Sequence, residues 1–327
     1  MYFYLIGIDY KRATIDVREA LYRQRKSISD FWAGCNPGGS AVLVTCNRME
    51  IYAVAKYPDD AFGHIAAFSG KFPYFSKYAY IKFGETQVFR HALRLGSGLE
   101  SQLNGEKQIL AQLNTWRANS TLPFPLEVLW DKAIFLSKKI RSASGLDKDS
   151  GNIAALIFDD IIKRMGLEKK HRIVIIGTGK IAEVFAKHGH SKAHLTFVAH
   201  KNHQKAQALA QGSGQETVLL QDLPRIITKA DILIGATSSP HYVLKKEHFG
   251  KYLTGREYPL YIYDLAVPRD VEPAVSGIDG LYLYNLDSLE HLFDRYNRSI
   301  QDRVESASGL IEDALRLGKE AIHEKNN

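Results

Sequence analysis

The chain has 327 residues, 45% hydrophobic and 24% charged, an ordinary globular composition long enough for two or three domains. Only two cysteines are present, Cys35 and Cys46, which excludes a disulfide framework and a tetrahedral cysteine metal site and points to reduced thiols. A net charge of +7 accommodates an anionic partner such as RNA without requiring one.

Residues 2–8 read as a strand. The first six residues carry neither a basic leader nor a small-residue cleavage site, so no signal peptide is expected. No apolar run reaches the length of a membrane span, and the expected location is cytoplasmic. Residues 41–45 and 50–55 read as two further strands around a brief turn. Residues 85–95 and 106–116 read as helices, joined by a loop containing Gly96, Gly98 and Gly105. Residues 1–143 are therefore expected to form an α+β domain.

A polar stretch, 142–152, leads into a helix with Ile153, Leu156, Ile157, Ile161 and Ile162 on its apolar side. After the basic turn at 169–172 the rhythm changes. A β-branched strand at 173–176 precedes Gly177-Thr178-Gly179 and a helix from Lys180. Then come a strand at 195–198, a helix at 204–211, and strands at 231–236 and 260–264. This alternation predicts a Rossmann-type, doubly wound parallel sheet over 144–285. From 286 to 327, Leu289, Leu292, Phe293, Tyr296, Ile300, Val304, Ile311 and Leu315 form one stripe. One long amphipathic helix is expected there, packed along other domains or another subunit.

Gly177-Thr178-Gly179-Lys180-Ile181-Ala182 is a G-x-G-x-x-A fingerprint placed between a buried strand and a helix. The first glycine allows a tight turn, the second a close approach to a pyrophosphate, and Ala182 close packing of helix on strand. A glycine turn without a nucleotide is the plainer alternative. Near the end of the second strand stands Lys201, with no carboxylate in 199–203 to take ribose hydroxyls, which favours a 2′-phosphate and hence NADPH.

Cys46 ends a buried strand, and Arg48 two residues on would lower its pKa. Read alone, it is either a reactive thiol or a small buried hydrophobe. Cys35, between Gly34 and Asn36, reads as incidental. His91 lies between apolar helix positions, where a structural role is the usual one. Ser101, Glu106, Gln108 and Gln112 flank the glycine-rich loop, the two glutamines sharing a helix face. No metal site is expected.

Together these motifs resemble the glutamyl-tRNA reductase family. The resemblance is carried by Gly7 to Ala13, Thr45-Cys46-Asn47-Arg48-Met49-Glu50-Ile51-Tyr52, His91 through Gln112, Lys138 to Arg141, and Asp264 to Asp270. It implies that Cys46 is the nucleophile and His91 an active-site residue. It further implies that Thr45, Asn47, Arg48, Ser101, Glu106, Lys107, Gln108 and Gln112 line a glutamate pocket, and that Gly177 to Ala182 hold NADPH. The implied reaction is attack of the Cys46 thiolate on glutamyl-tRNA, followed by hydride reduction of the thioester to glutamate-1-semialdehyde. Arg48 would fork onto the substrate carboxylate, and His91 would protonate the leaving oxygen or orient the thiol. Glutamate-1-semialdehyde aminomutase is the implied downstream partner.

Two departures concern the family's prolines, replaced by Lys107 and near Ile15. The third is the C-terminus, where the family's dimerisation domain follows a spinal helix that here ends at Asn327, leaving the usual homodimer open. Two other readings are a shikimate-type NADP dehydrogenase, which resembles the nucleotide domain alone, and a non-catalytic relative that binds tRNA or a partner. The basic stretches at 138–141 and 169–172 are candidate tRNA contacts.

Overall fold

The first strand, β1 (Tyr2–Asp9), becomes an inner strand of a four-stranded antiparallel sheet. It is followed by α1 (Ile15–Arg23), α2 (Arg25–Cys35), β2 (Ser40–Val44), β3 (Arg48–Ala55), α3 (Pro58–Lys71), α4 (Pro73–Ser76) and β4 (Tyr80–Phe83). The sheet order is β2-β3-β1-β4. Helices α5 (Glu85–Gly96), α6 (Lys107–Asn119) and α7 (Phe124–Ser144) complete this part. Strand alternation sends Tyr4, Ile6, Ile8, Met49 and Ile51 to one face, where Trp32 of α2 and Phe68 of α3 cover them. Leu5, Leu43, Tyr52 and Val54 go to the other, under Val88, Leu113 and Trp130 of α5, α6 and α7. Covered on both faces, β3 is buried along its whole length.

The computed structural model describes all residues except 38, 149–151, 167–170, 190–192, 200–202, 212–215, 254–255, 257 and 326–327. Two compact units result: Met1–Gly151 with Asp294–Asn327, and Asn152–Phe293. The second unit contains α8 (Ile153–Met165), β5 (His171–Ile176), α9 (Lys180–Gly189), β6 (Ala193–Ala199), α10 (His203–Gln211) and β7 (Glu216–Leu219). It continues with α11 (Leu223–Ile227), β8 (Ile232–Gly235), α12 (Lys246–Tyr252), β9 (Leu260–Asp264) and β10 (Leu281–Asn285). Its six strands are all parallel, in the order β10-β9-β8-β5-β6-β7. The chain leaves β5 toward β6 on one side and returns to β8 on the other, so the switch point lies beside Gly177, where doubly wound sheets take ligands.

The C-terminal stripe runs as two helices rather than one continuous helix, α13 (Glu290–Ser299) and the 25-residue α14 (Gln301–Lys325). At the join the Ile300 N–H bonds back only three residues, to the Asn297 carbonyl, and the Ser299 hydroxyl donates to the Tyr296 carbonyl at 2.6 Å. Side chain to backbone bonding of this kind competes with the helical ladder. Beyond the join, Ile300, Ala307, Ile311 and Leu315 pack into the core formed by α5 and α7, and Arg90 forks onto Glu312 with both contacts at 2.8 Å. No helix among the described residues is long and apolar enough to cross a membrane.

Candidate active site

The hairpin turn between β2 and β3 carries Thr45, Cys46 and Asn47, all half-buried. The Thr45 N–H donates to the Arg48 carbonyl at 2.9 Å and the Asn47 N–H to the Thr45 hydroxyl at 3.3 Å, closing the turn on itself. The Tyr10 N–H donates to the Asn47 carbonyl at 3.0 Å, tying the turn to the segment after β1. Asn47 Oδ1 is buried without a hydrogen-bond partner. Burial pushes the Cys46 thiol up to about 11, and the charge of Glu106 adds to that rise. Arg18, a backbone hydrogen bond and Arg48 act in the opposite direction without overcoming it. The expected lowering by Arg48 is therefore corrected: its pull exists, but desolvation is larger.

Arg48 itself is buried. Its Nη1 donates to Glu50 Oε1 at 2.8 Å and its Nη2 to the Glu100 carbonyl. A fork onto a substrate carboxylate would require it to release Glu50. Glu50, which the sequence reading passed over, is the centre of the site's charge. It is fully buried, and besides Arg48 its carboxylate accepts from Tyr52 at 2.6 Å, from Tyr80, and from His91 Nε2 at 3.0 Å. Burial alone would raise its pKa, but His91, Arg48 and Tyr52 outweigh that and hold it well below the usual carboxylate range. His91, on the buried face of α5, is thus held by Glu50 and, at 3.3 Å, by the Tyr80 hydroxyl. With Glu50 ionised, this geometry assigns the proton to His91 Nε2.

The network needs a glycine opposite it. Gly7 of β1 pairs with Glu50 on one side and Tyr80 on the other. A Cβ at Gly7 would meet Glu50 Cγ at 2.8 Å and the Tyr80 ring at 3.0 Å.

The loop from α5 to α6 is pinned by Arg141 of α7. Its Nη1 donates to the Ser97 and Glu106 carbonyls at 2.9 and 3.1 Å, and its Nη2 to that of Gly105 at 2.7 Å. This corrects the reading of Arg141 as a tRNA contact, since the side chain is buried under the loop, while Lys138 and Lys139 are exposed. Gly98 has a φ of +82°, and a Cβ there would meet Arg141 Nη1 at 2.9 Å and Gly105 Cα at 3.0 Å. Ser101 is buried and hydrogen-bonds the Glu106 carboxyl, whose pKa burial raises. Lys107 is the first residue of α6, with its side chain exposed. Ile15 is likewise the first residue of α1. Both proline departures therefore fall at helix starts, where proline and other residues interchange with little change in hydrogen bonding. Gln108 is half-buried on α6 and Gln112 exposed one turn later.

In the second unit, Gly177 follows β5 with a φ of +117°, and a Cβ there would lie 2.5 Å from the Ala236 carbonyl oxygen. A side chain is excluded at this point. At Gly179 the nearest such atom, again the Ala236 carbonyl oxygen, is 3.8 Å away. Thr178 and Ile181 are half-buried, Lys180 is exposed and pairs with Glu183 at 2.9 Å, and Ala182 is buried against the sheet. Facing the glycine turn, Thr237 is fixed by Asp270, which accepts from its N–H at 2.8 Å and from its hydroxyl. Asp264 lies beside Asp270 and accepts from the N–H groups of Ala266, Asp270 and Val271. Burial pushes these two carboxyls up to about 7 and about 6, respectively, Asp270 adding to the rise at Asp264. Lys201 lies outside the described residues.

Comparison with known proteins bears on both units. A family model described as the N-terminal domain of glutamyl-tRNA(Glu) reductase matches residues 6–144, and one described as shikimate / quinate 5-dehydrogenase matches 161–292. A glutamyl-tRNA reductase from Methanococcoides burtonii is 33% identical over 85% of this chain and 66% of its own length. One from Thermus thermophilus is 32% identical over 95% of this chain and 78% of its own length. The solved structure of glutamyl-tRNA reductase from Methanopyrus kandleri shares the fold, with a TM-score of 0.52 at 24% identity over 98% of this chain and 80% of that one. The chain belongs to the glutamyl-tRNA reductase family.

Proposed function

We propose that the chain reduces glutamyl-tRNA to glutamate-1-semialdehyde with NADPH, through a thioester on Cys46. The observation that carries this reading is a half-buried cysteine on a hydrogen-bonded turn, set directly before a buried Arg48–Glu50–His91 network in a chain of this family. Ionic groups on the core side of a strand are costly to bury, and a network of this kind marks a functional site.

In this reading Cys46 Sγ attacks the ester carbonyl of the glutamyl group. A sulfur–carbon bond forms, the ester carbon–oxygen bond breaks, and the ribose oxygen leaves with a proton. The thiol is protonated at neutral pH, so its proton must depart as attack proceeds. Arg18 and Arg48 favour the thiolate and Glu106 opposes it. His91, its orientation set by Glu50 and Tyr80, would take that proton and pass it to the leaving ribose oxygen. Asn47 Oδ1, buried and unpartnered, is suited to accept from the substrate's ammonium group.

The second unit fits a dinucleotide. Gly177 permits the close turn, Gly179 leaves space for the pyrophosphate, and the first turn of α9 offers its N–H groups. Bound there, NADPH would supply the hydride that converts the thioester to the aldehyde. The preference for the phosphorylated cofactor rests on Lys201 in the sequence. The test is aldehyde formation from glutamyl-tRNA by the wild type with NADPH and with NADH, beside Cys46→Ser. Turnover only by the wild type, and faster with NADPH, is expected; turnover by Cys46→Ser would overturn the covalent route.

A further inference from the structure

The parallel sheet carries a cationic cavity at the end away from the glycine turn. Doubly wound sheets bury both faces, so their strand positions are ordinarily apolar. At the start of β5, β6 and β7 one face breaks this rule. Arg172 pairs with His194, and Val174, Thr196 and Glu216 form the next row. The neighbouring helix α11 is only five residues long; its Leu223 and Ile227 share a core with Val174, while Arg172, His194 and Glu216 stay exposed. The result is a cavity of about 400 Å³, walled also by Arg225, Ile226 and Lys229. Arg172, His194, Arg225 and Lys229 are exposed at its rim, and Glu216 is the only acid among the described residues of its lining.

We infer that this cavity binds the sugar–phosphate backbone of RNA, and, resting on the function proposed above, that the RNA is the tRNA substrate. Three observations favour a polynucleotide over a free phosphorylated metabolite. Sites for small phosphates are built from backbone N–H groups at glycine turns and helix starts, whereas none of the described residues lining this cavity is a glycine. Its cations are long, exposed side chains, the kind that follow a phosphodiester chain without reading bases. The cofactor's phosphates belong at Gly177–Ala182, at the other end of the same strands. Arg172, from the basic stretch singled out in the sequence, is the described member of that stretch within the cavity; Lys169 and Lys170 lie outside the described residues.

The experiment measures binding of uncharged tRNA(Glu), and of an unrelated tRNA, as a function of salt. The proteins are the wild type, the double variant Arg225→Ala/Lys229→Ala, and the charge-conserving Arg225→Lys/Lys229→Arg. Each phosphate contact contributes about one unit to the slope of log K against log salt. The alanine variant is expected to lose about two units of slope for both RNAs, and the charge-conserving one to keep the wild-type slope. Unfolding midpoints and NADPH binding, measured alongside, are expected to stay unchanged. An unchanged slope in the alanine variant, with the wild type still binding tRNA, would overturn this inference and leave the proposed function standing. A wild type that binds no RNA would overturn both. Competition by millimolar inorganic phosphate alone, with no difference between the variants toward tRNA, would assign the cavity to a small anion and also overturn it.

Discussion

Glu50→Gln isolates what the buried network does. In the wild type one carboxylate receives Arg48, His91, Tyr52 and Tyr80. The amide keeps the shape but removes the counter-charge of a guanidinium that is buried with it. It also replaces one acceptor oxygen by an N–H₂ that faces donors. Breaking a buried pair in this way costs about 3–5 kcal/mol. The sign of the pH dependence follows from the depressed carboxyl. The folded state holds the proton less tightly than the unfolded chain, so the stabilisation is fully present above the ordinary value of 4.5 and is lost as the pH falls below it. Urea unfolding of both proteins from neutral pH down to well below 4.5 reads the difference directly. The gap should stay constant from neutral pH down to about 4.5 and narrow below it. A gap under about 1 kcal/mol at neutral pH, or one that does not narrow, would refute the assignment of Glu50 as the ionised centre of the site.

Further consequences concern the thiol and the cofactor unit. Glu106→Gln removes the negative charge that adds to the burial-driven rise of the Cys46 thiol, so iodoacetamide should alkylate Cys46 faster than in the wild type at mildly alkaline pH, and an unchanged rate would contradict the electrostatic coupling. Gly177→Ala drives a methyl group into the Ala236 carbonyl and should abolish NADPH binding by fluorescence titration while leaving Cys46 alkylation unchanged. Asp270, whose carboxyl burial raises from 3.8 to about 6, holds its proton more tightly folded than unfolded, so the second unit should lose stability as pH rises through that window, by about 3 kcal/mol. Asp270→Asn should flatten that fall in calorimetry, which is opposite in sign to the behaviour of Glu50.

The nucleotide-binding sheet was legible because parallel strands buried on both faces leave long β-branched runs, as in Ile173 to Ile176, and because the glycine fingerprint sits between strand and helix. Helix α7 was not legible. Its buried positions, Leu126, Leu129, Trp130, Ala133, Ile134, Ser137, Ile140 and Arg141, follow a helical spacing. However, Ser137 and Arg141 look solvated until the loop and α5 they bond are in place. Glu50 was hidden for a similar reason. Between Met49 and Ile51 it reads as the outward residue of a half-exposed strand, whereas β3 is covered on both sides. The available signal was the run Arg48, Glu50, Tyr52, three polar-tipped residues on one strand face, opposite Gly7. The interruption at Ile300 is not legible in the sequence because the apolar stripe continues unbroken across it. Beside it the Asn297 side chain bonds the Gln102 carbonyl and the Asn104 N–H, contacts between segments far apart in sequence.

The covalent step is tested most directly by mixing the protein with glutamyl-tRNA in the absence of cofactor, quenching in acid, and locating any glutamyl adduct by peptide mass spectrometry. An adduct is expected on the peptide containing Cys46, none on that containing Cys35, with its loss when NADPH is added before the quench. An adduct on another residue, or aldehyde formed from glutamyl-tRNA by Cys46→Ser, would contradict it.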